Sequence, residues 1–141
     1  MLRHTFSHPV EQMQALASMC CGAVLERHPK LHFIMSHGGG FIPYQGGRWV
    51  HGWHVRPEPK VHVKHSPAPY LDRFSYDTIL HAPAPLEFLV SSVGANRVFL
   101  GSDYPYDMGT FECVRKVKAL SIGDADKAKV LEGNALKWFG A

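Results

Sequence analysis

Apolar residues recur along the first part of the chain at steps of three and four: Val10, Met13, Leu16, Ala17, Cys20, Ala23 and Val24. That spacing lines one face of an α-helix. Ser7 is placed to cap it, Pro9 suits its first turn, Arg27 and His28 suit its negative end, and Pro29 stops it. The period then changes. Leu31-His32-Phe33-Ile34-Met35-Ser36 is a short apolar run followed by His37-Gly38-Gly39-Gly40, the pattern of a buried strand ending in a glycine loop. Pro43 opens a second predicted helix carrying Arg48, Trp49 and His51, with Gly46 and Gly47 weakening it. From Arg56 to Pro69 four prolines and interspersed His and Lys leave little periodicity, which predicts a long surface excursion.

The second half alternates more regularly. Phe74-Ser75-Tyr76-Asp77-Thr78 is a predicted strand with Ile79-Leu80-His81 at its end. A helix is predicted from Pro85 to Val93, with Leu86, Leu89, Val90 and Val93 facing inward and Gly94 ending it. Arg97 to Ser102 forms a third strand, which the chain leaves through Asp103-Tyr104-Pro105. The tail predicts a helix from Phe111 to Leu120, a capping-box-like start at Ser121-Ile122-Gly123-Asp124, a short helix to Leu131 and a last one from Asn134 to Phe139. Strand and helix in alternation argue an α/β fold with a parallel sheet and helices packed outside it. Three strands cannot close an eight-stranded barrel, so the chain alone would have open sheet edges and part of its strands' inner face uncovered.

Composition narrows the function classes. At 45% hydrophobic and 19% charged, the 141 residues describe an ordinary globular protein forming one domain without a separate second one, and not a disordered or fibrous chain. No apolar run approaches the roughly 18 residues that cross a bilayer, and the N-terminus lacks a secretory apolar stretch, so a cytoplasmic protein without membrane contact is expected. A net charge of +3 from scattered Lys and Arg argues against a nucleic-acid partner. Cys20, Cys21 and Cys113 form neither a CxxC pair nor a disulfide framework, and are expected as reduced thiols. The ten histidines matter more, because neutral imidazole ligates metals and carries protons near neutral pH.

In parallel α/β folds functional groups gather where the strands end. His37, Asp77 and Asp103 all fall at or beside such ends. A carboxylate there can ligate a metal or take a proton, and an imidazole can polarise a substrate or shuttle a proton. On pattern alone a blander reading stays open, with His37 a satisfied core histidine, Asp103 a cap for the turn before Pro105, and the glycines a mere loop. The glycines lack the spacing and the Lys-Ser or Lys-Thr of a P-loop. Trp53, Tyr44 and Tyr104 are candidate pocket walls or ordinary packing. The pairs His51/His54 and His62/His65 are expected to be exposed loop histidines.

Several motifs stand together in one order: His28-Pro29-Lys30-Leu31, Ser36-His37-Gly38-Gly39-Gly40, Arg48, Gly101-Ser102-Asp103-Tyr104-Pro105 and Gly133-Asn134-Ala135. In order and spacing they resemble the amidohydrolase superfamily of metal-dependent enzymes, and its decarboxylase branch in particular. The resemblance implies that the chain is the C-terminal portion, about three βα units, of a (β/α)8 TIM barrel. It implies that Asp103 is a metal ligand and catalytic, that His37 lies beside the metal and assists catalysis, and that Arg48 binds a substrate carboxylate in the neighbouring subunit's site. Such a planar guanidinium suits bidentate carboxylate recognition. The implied cofactor is a divalent metal, zinc (Zn2+). The implied reaction is non-oxidative decarboxylation of a small unsaturated or aromatic carboxylic acid, with hydrolysis of an amide, ester or lactone as the alternative within the fold. The implied assembly is a homodimer, or a pairing with a companion chain that supplies the rest of the barrel. The family's His-x-His metal pair occurs nowhere in the sequence. The expectation is therefore an incomplete zinc site and no turnover by this polypeptide alone; a non-catalytic fragment or interaction module is the reading from a different class.

Overall fold

A computed structural model describes residues 3–140. They form two compact units, residues 3–33 with Gly39–Phe74, and Ile34–Gly38 with residues 75–140.

The first unit is helical. The chain enters α1 (His8–Cys21) through a π-helical turn, Arg3–Ser7. Ser7 is itself helical, at φ −68° and ψ −42°, and its side chain caps nothing, so the expected N-cap is replaced by a chain that arrives already coiled. The single helix predicted to run up to Pro29 is broken. Gly22 closes α1 by donating its N–H to the Ser18 carbonyl at 2.9 Å, Ala23 turns left-handed at φ 54°, and α2 (Val24–Arg27) restarts the coil. Leu16, Cys20, Ala23 and Leu25 are buried, while Val10, predicted on the same face, is exposed. Each fully buried leucine contributes roughly 1.5–3 kcal/mol.

Helix α3 (Ile42–Val55) forms as expected, with Pro43 in its first turn. Its glycines do not break it, and at Gly46 a side chain would stand 3.1 Å from Leu71 of α4 (Ala68–Leu71), so the small residue makes room for packing. The predicted excursion from Arg56 to Pro69 is partly ordered, with a 3-10 turn at Glu58–Lys60 and Val63 and Pro67 buried. Arg73, between α4 and the next strand, donates to the carbonyls of Leu25 (3.0 Å), Pro29 (2.6 Å) and Leu31 (2.8 Å). These groups lie in or just past a helix end, where carbonyls lack helical partners.

The sheet has the order β1 (Phe33–Met35), β2 (Phe74–Asp77), β3 (Val98–Phe99). β2 and β3 run parallel, with Tyr76 opposite Val98 and Asp77 opposite Phe99. β2 is almost wholly buried, as its apolar pattern requires, whereas Ile34 of β1 is 40% exposed and that strand is not the buried one expected. Helix α5 (Pro83–Val93) turns Leu86, Leu89 and Val90 into the core and ends at Gly94, whose φ of 86° a side chain would resist. A 3-10 turn at Ala95–Arg97 shortens β3.

Beyond it come α6 (Cys113–Lys118), α7 (Asp124–Ala128), a π-helical turn at Lys129–Gly133, and α8 (Asn134–Phe139). No side chain caps α7. The Ser121 N–H goes instead to Glu87 at 2.7 Å, so the predicted capping box is not formed. Asn134, buried at the start of α8, donates to the carbonyls of Ala95 and Val98, both at 2.7 Å, and ties the tail to β3. Among the described residues no helix is long and apolar enough to cross a membrane.

Candidate active site

After β1 the backbone does something that L-residues resist. His37, Gly38, Gly39 and Gly40 take φ values of 52°, 60°, 74° and 58°, a run of left-handed residues in which only His37 carries a side chain. Two of the glycines are required twice over. A Cβ at Gly38 would meet side-chain carbons of Leu80 at 2.6 to 2.8 Å, and one at Gly40 would collide with the Pro9 carbonyl oxygen.

Asp77, at the end of β2, holds this turn. Its Oδ1 accepts the Gly38 N–H at 2.9 Å and the Ile79 N–H at 3.0 Å. Burial pushes the Asp77 carboxyl above the usual carboxylate range, while those N–H groups and His37 pull in the opposite direction without cancelling it. Asp77 thus has the hydrogen-bonding role expected of a turn residue. Thr78 locks the next strand end by exchanging hydrogen bonds with Gly101, donating to its carbonyl at 3.3 Å and accepting its N–H at 3.0 Å.

Asp103 follows β3, also left-handed at φ 59°. Its loop is closed by main-chain bonds, Tyr106 N–H to the Asp103 carbonyl at 2.9 Å and Thr110 N–H to the Ser102 carbonyl at 2.8 Å. The hydroxyl that accepts the Tyr104 N–H belongs to Ser102, at 3.3 Å. The Asp103 side chain has another neighbour: its Oδ1 lies 3.9 Å from His37 Nε2. That separation is too long for a direct hydrogen bond. The side chains are 28% (His37) and 19% (Asp103) exposed, so a ligand can reach both. An imidazole nitrogen and a carboxylate oxygen so placed can pass a proton or share a cation.

Arg48 belongs to the first unit, exposed on α3. There it lines an apolar cleft of about 620 Å³ with Met13, Leu16, Ile42 and Trp49. His51 and His54 lie on α3 and not in a loop, and like His62 and His65 they are exposed; Tyr44 and Tyr104 are exposed as well. Among the described residues no group of three or more His, Cys, Asp or Glu side chains is gathered to hold a metal. Sequence reasoning missed Leu80, whose packing makes Gly38 obligatory, and the left-handed backbone at His81, φ 60°. Neither carries a local signal beyond lying just past a strand end.

The sequence pattern of the amidohydrolase family matches residues 4–141. The 2-amino-3-carboxymuconate-6-semialdehyde decarboxylase of Dictyostelium discoideum is 35% identical over 136 residues, covering 94% of this chain and 37% of its own length. Among solved structures, 5-carboxyvanillate decarboxylase from Sphingomonas paucimobilis superposes with a TM-score of 0.82 at 24% identity, over 94% of this chain and 40% of that one. The 5-carboxyvanillate decarboxylase of Novosphingobium aromaticivorans, complexed with manganese and 4-hydroxy-3-methoxy-5-nitrobenzoic acid, superposes at 0.75 and 25% identity, over 92% and 38%. These likenesses identify the strands and their helices as about three βα units of a (β/α)8 barrel, as expected. The chain spans well under half the length of the relatives it matches.

Proposed function

Since this chain belongs to the amidohydrolase family, we propose that it supplies His37, Asp103 and Arg48 to a metal-dependent, non-oxidative decarboxylase acting on a small unsaturated or aromatic carboxylic acid. The observation that carries this reading is the His37–Asp103 pair, facing across 3.9 Å at the ends of the strands on either side of β2. The relatives named above are decarboxylases of such acids.

Asp103 is the metal ligand in this proposal and His37 stands beside it. Their nitrogen and oxygen donors suit zinc, and a solved relative contains manganese. Two donors are fewer than the about three or four that hold such an ion, and Asp77 is committed to backbone N–H groups, so the remaining ligands belong to other parts of the barrel. A divalent cation held there supplies Lewis-acid stabilisation of charge on the substrate's oxygens.

Every other role falls to side chains. Arg48 pairs with a substrate carboxylate, in the site of a second copy of the chain; its exposure on α3 beside an apolar cleft fits that use. The bond between the ring or alkene carbon and the carboxylate breaks, carbon dioxide leaves, and the electron pair remains on carbon. His37 delivers a proton to that carbon through Nε2. Asp77 acts only through the turn it holds. Three free cysteines accord with a reducing, cytoplasmic setting.

In the protein that carries this chain, His37→Asn is expected to lower carbon dioxide release from its acid substrate by about a hundredfold or more. Decarboxylation by His37→Asn at the parental rate would overturn the proposal. So would a parent protein that hydrolyses an amide, ester or lactone and releases no carbon dioxide.

A further inference from the structure

We infer that His81 contacts the substrate, its imidazole hydrogen-bonding an oxygen substituent of the acid other than the carboxylate that departs. The inference rests on the decarboxylase reading above and adds a specificity residue to it.

Position is the first ground. In the sheet β2 lies between β1 and β3, so the loop leaving β2 lies between those carrying His37 and Asp103. Asp77 and Phe99 are register partners, and His81 and Asp103 each stand four residues beyond them. Leu80, immediately before His81, packs on Gly38, immediately after His37. His81 is therefore attached to the rim that presents the proposed catalytic pair.

Backbone geometry is the second. Leu80 N–H bonds to the Thr78 carbonyl at 2.9 Å and Ala82 N–H to the Leu80 carbonyl at 2.8 Å, two successive three-residue turns. The second is centred on His81 at φ 60°, the γ-turn hand that is rare and strained. A glycine would occupy this position more easily, yet the chain has a histidine. Its side chain is exposed, so burial of the ring does not offset the strain. Strained residues with reachable polar side chains gather where ligands bind. The two other strand ends show the same combination, His37 at φ 52° and Asp103 at φ 59°. An imidazole can donate to or accept from a hydroxyl or carbonyl oxygen, which a purely apolar rim could not.

Calorimetric titration of the metal-loaded, full-length protein with 2,6-dihydroxybenzoate and with benzoate separates this contact from general binding, because only the first acid has ring oxygens. His81→Ala is expected to weaken 2,6-dihydroxybenzoate about tenfold, the size of one lost hydrogen bond, and benzoate by less than about twofold. His81→Asn, which tolerates positive φ and keeps hydrogen-bonding atoms, is expected to stay within about threefold of the parent. His81→Gly relieves the backbone and is expected to melt at or above the parental temperature while showing the same selective loss as His81→Ala. Equal effects of His81→Ala on both acids, no effect on either, or a lower melting temperature for His81→Gly would each overturn the inference. A parent that binds both acids while His81→Ala changes nothing removes His81 alone; a parent that binds neither and releases no carbon dioxide from any small unsaturated or aromatic acid removes the decarboxylase reading with it.

Discussion

The two units hold irregular backbone by the same device in opposite polarity. In the first, Arg73 is a cation collecting three carbonyls, one within α2 and two from the stretch that follows it. In the second, Asp77 is an acceptor collecting two N–H groups, one from the turn after β1 and one from its own strand end. Charged partners make such bonds stronger than neutral ones. The surroundings differ, however. Two of the three Arg73 contacts are exposed, so water can replace them, whereas the two Asp77 contacts are part-buried and less open to water. Strain differs as well. Among the described residues before the glycine turn the first unit has one left-handed non-glycine residue, Ala23, whose side chain is buried and apolar; the second has His37, His81 and Asp103, each polar and at a strand end. Left-handed geometry serves packing in the one and presents reachable side chains in the other.

This contrast can be broken experimentally. Asp77→Ala leaves the Gly38 and Ile79 N–H groups without their acceptor and is expected to cost about 3–4 kcal/mol. Hydrogen exchange at those two amides should accelerate while the segment from Val24 to Leu31 stays protected. Matched acceleration in both segments would show that the two anchors are not independent.

A somewhat smaller effect is expected in alkali, and in the first unit. Burial, with Cys21 beside it, pushes the Cys20 thiol up from 9.0 to about 12. The folded chain therefore keeps a proton that the unfolded chain gives up above pH 9. This contribution to stability is complete below pH 9, falls as pH rises, and is lost by about pH 12. The slope of about 1.4 kcal/mol per pH unit amounts to roughly 3 kcal/mol by pH 11. Denaturant melts of the parent and Cys20→Ala between pH 8 and 11 should converge by that amount, and parallel curves would refute the assignment. Smallest is Arg73→Ala, about 1–2 kcal/mol because solvent can take over two of its carbonyls. Its thermal melt should fall while Gly38 amide protection is unchanged.

Legibility in the sequence follows the same division. β2 is legible to within a residue because Phe74 and Tyr76 are deeply buried and apolar, and α5 to within two because its inward residues keep helical spacing. The break after α1 was not visible. Gly22 is the obvious candidate for a left-handed residue, yet it sits at φ −81° and Ala23 takes the positive φ. Arg73 gives no signal either, since its partners lie 42 to 48 residues away and are backbone atoms of no particular residue type. At the candidate site, His37 and Asp103 were legible as polar residues at strand ends, and their approach to 3.9 Å agrees with that placement. The strain at His81 was not, because positive φ is written plainly only where glycine stands.

The bond between Gly38 and Asp77 has a further consequence, for the order in which the chain assembles. It spans 39 residues, so the turn bearing His37 cannot be completed from its own neighbourhood. During synthesis His37 emerges long before the carboxylate that shapes its turn, and contacts so distant in sequence are late events in folding. The helices around Leu16 and Leu25 can form while the strand bearing Asp77 is still being made. The turn bearing His37 is thus a product of the sheet's completion, and a nascent chain stalled before Asp77 would carry the whole Ser-His-Gly-Gly-Gly motif without its shape.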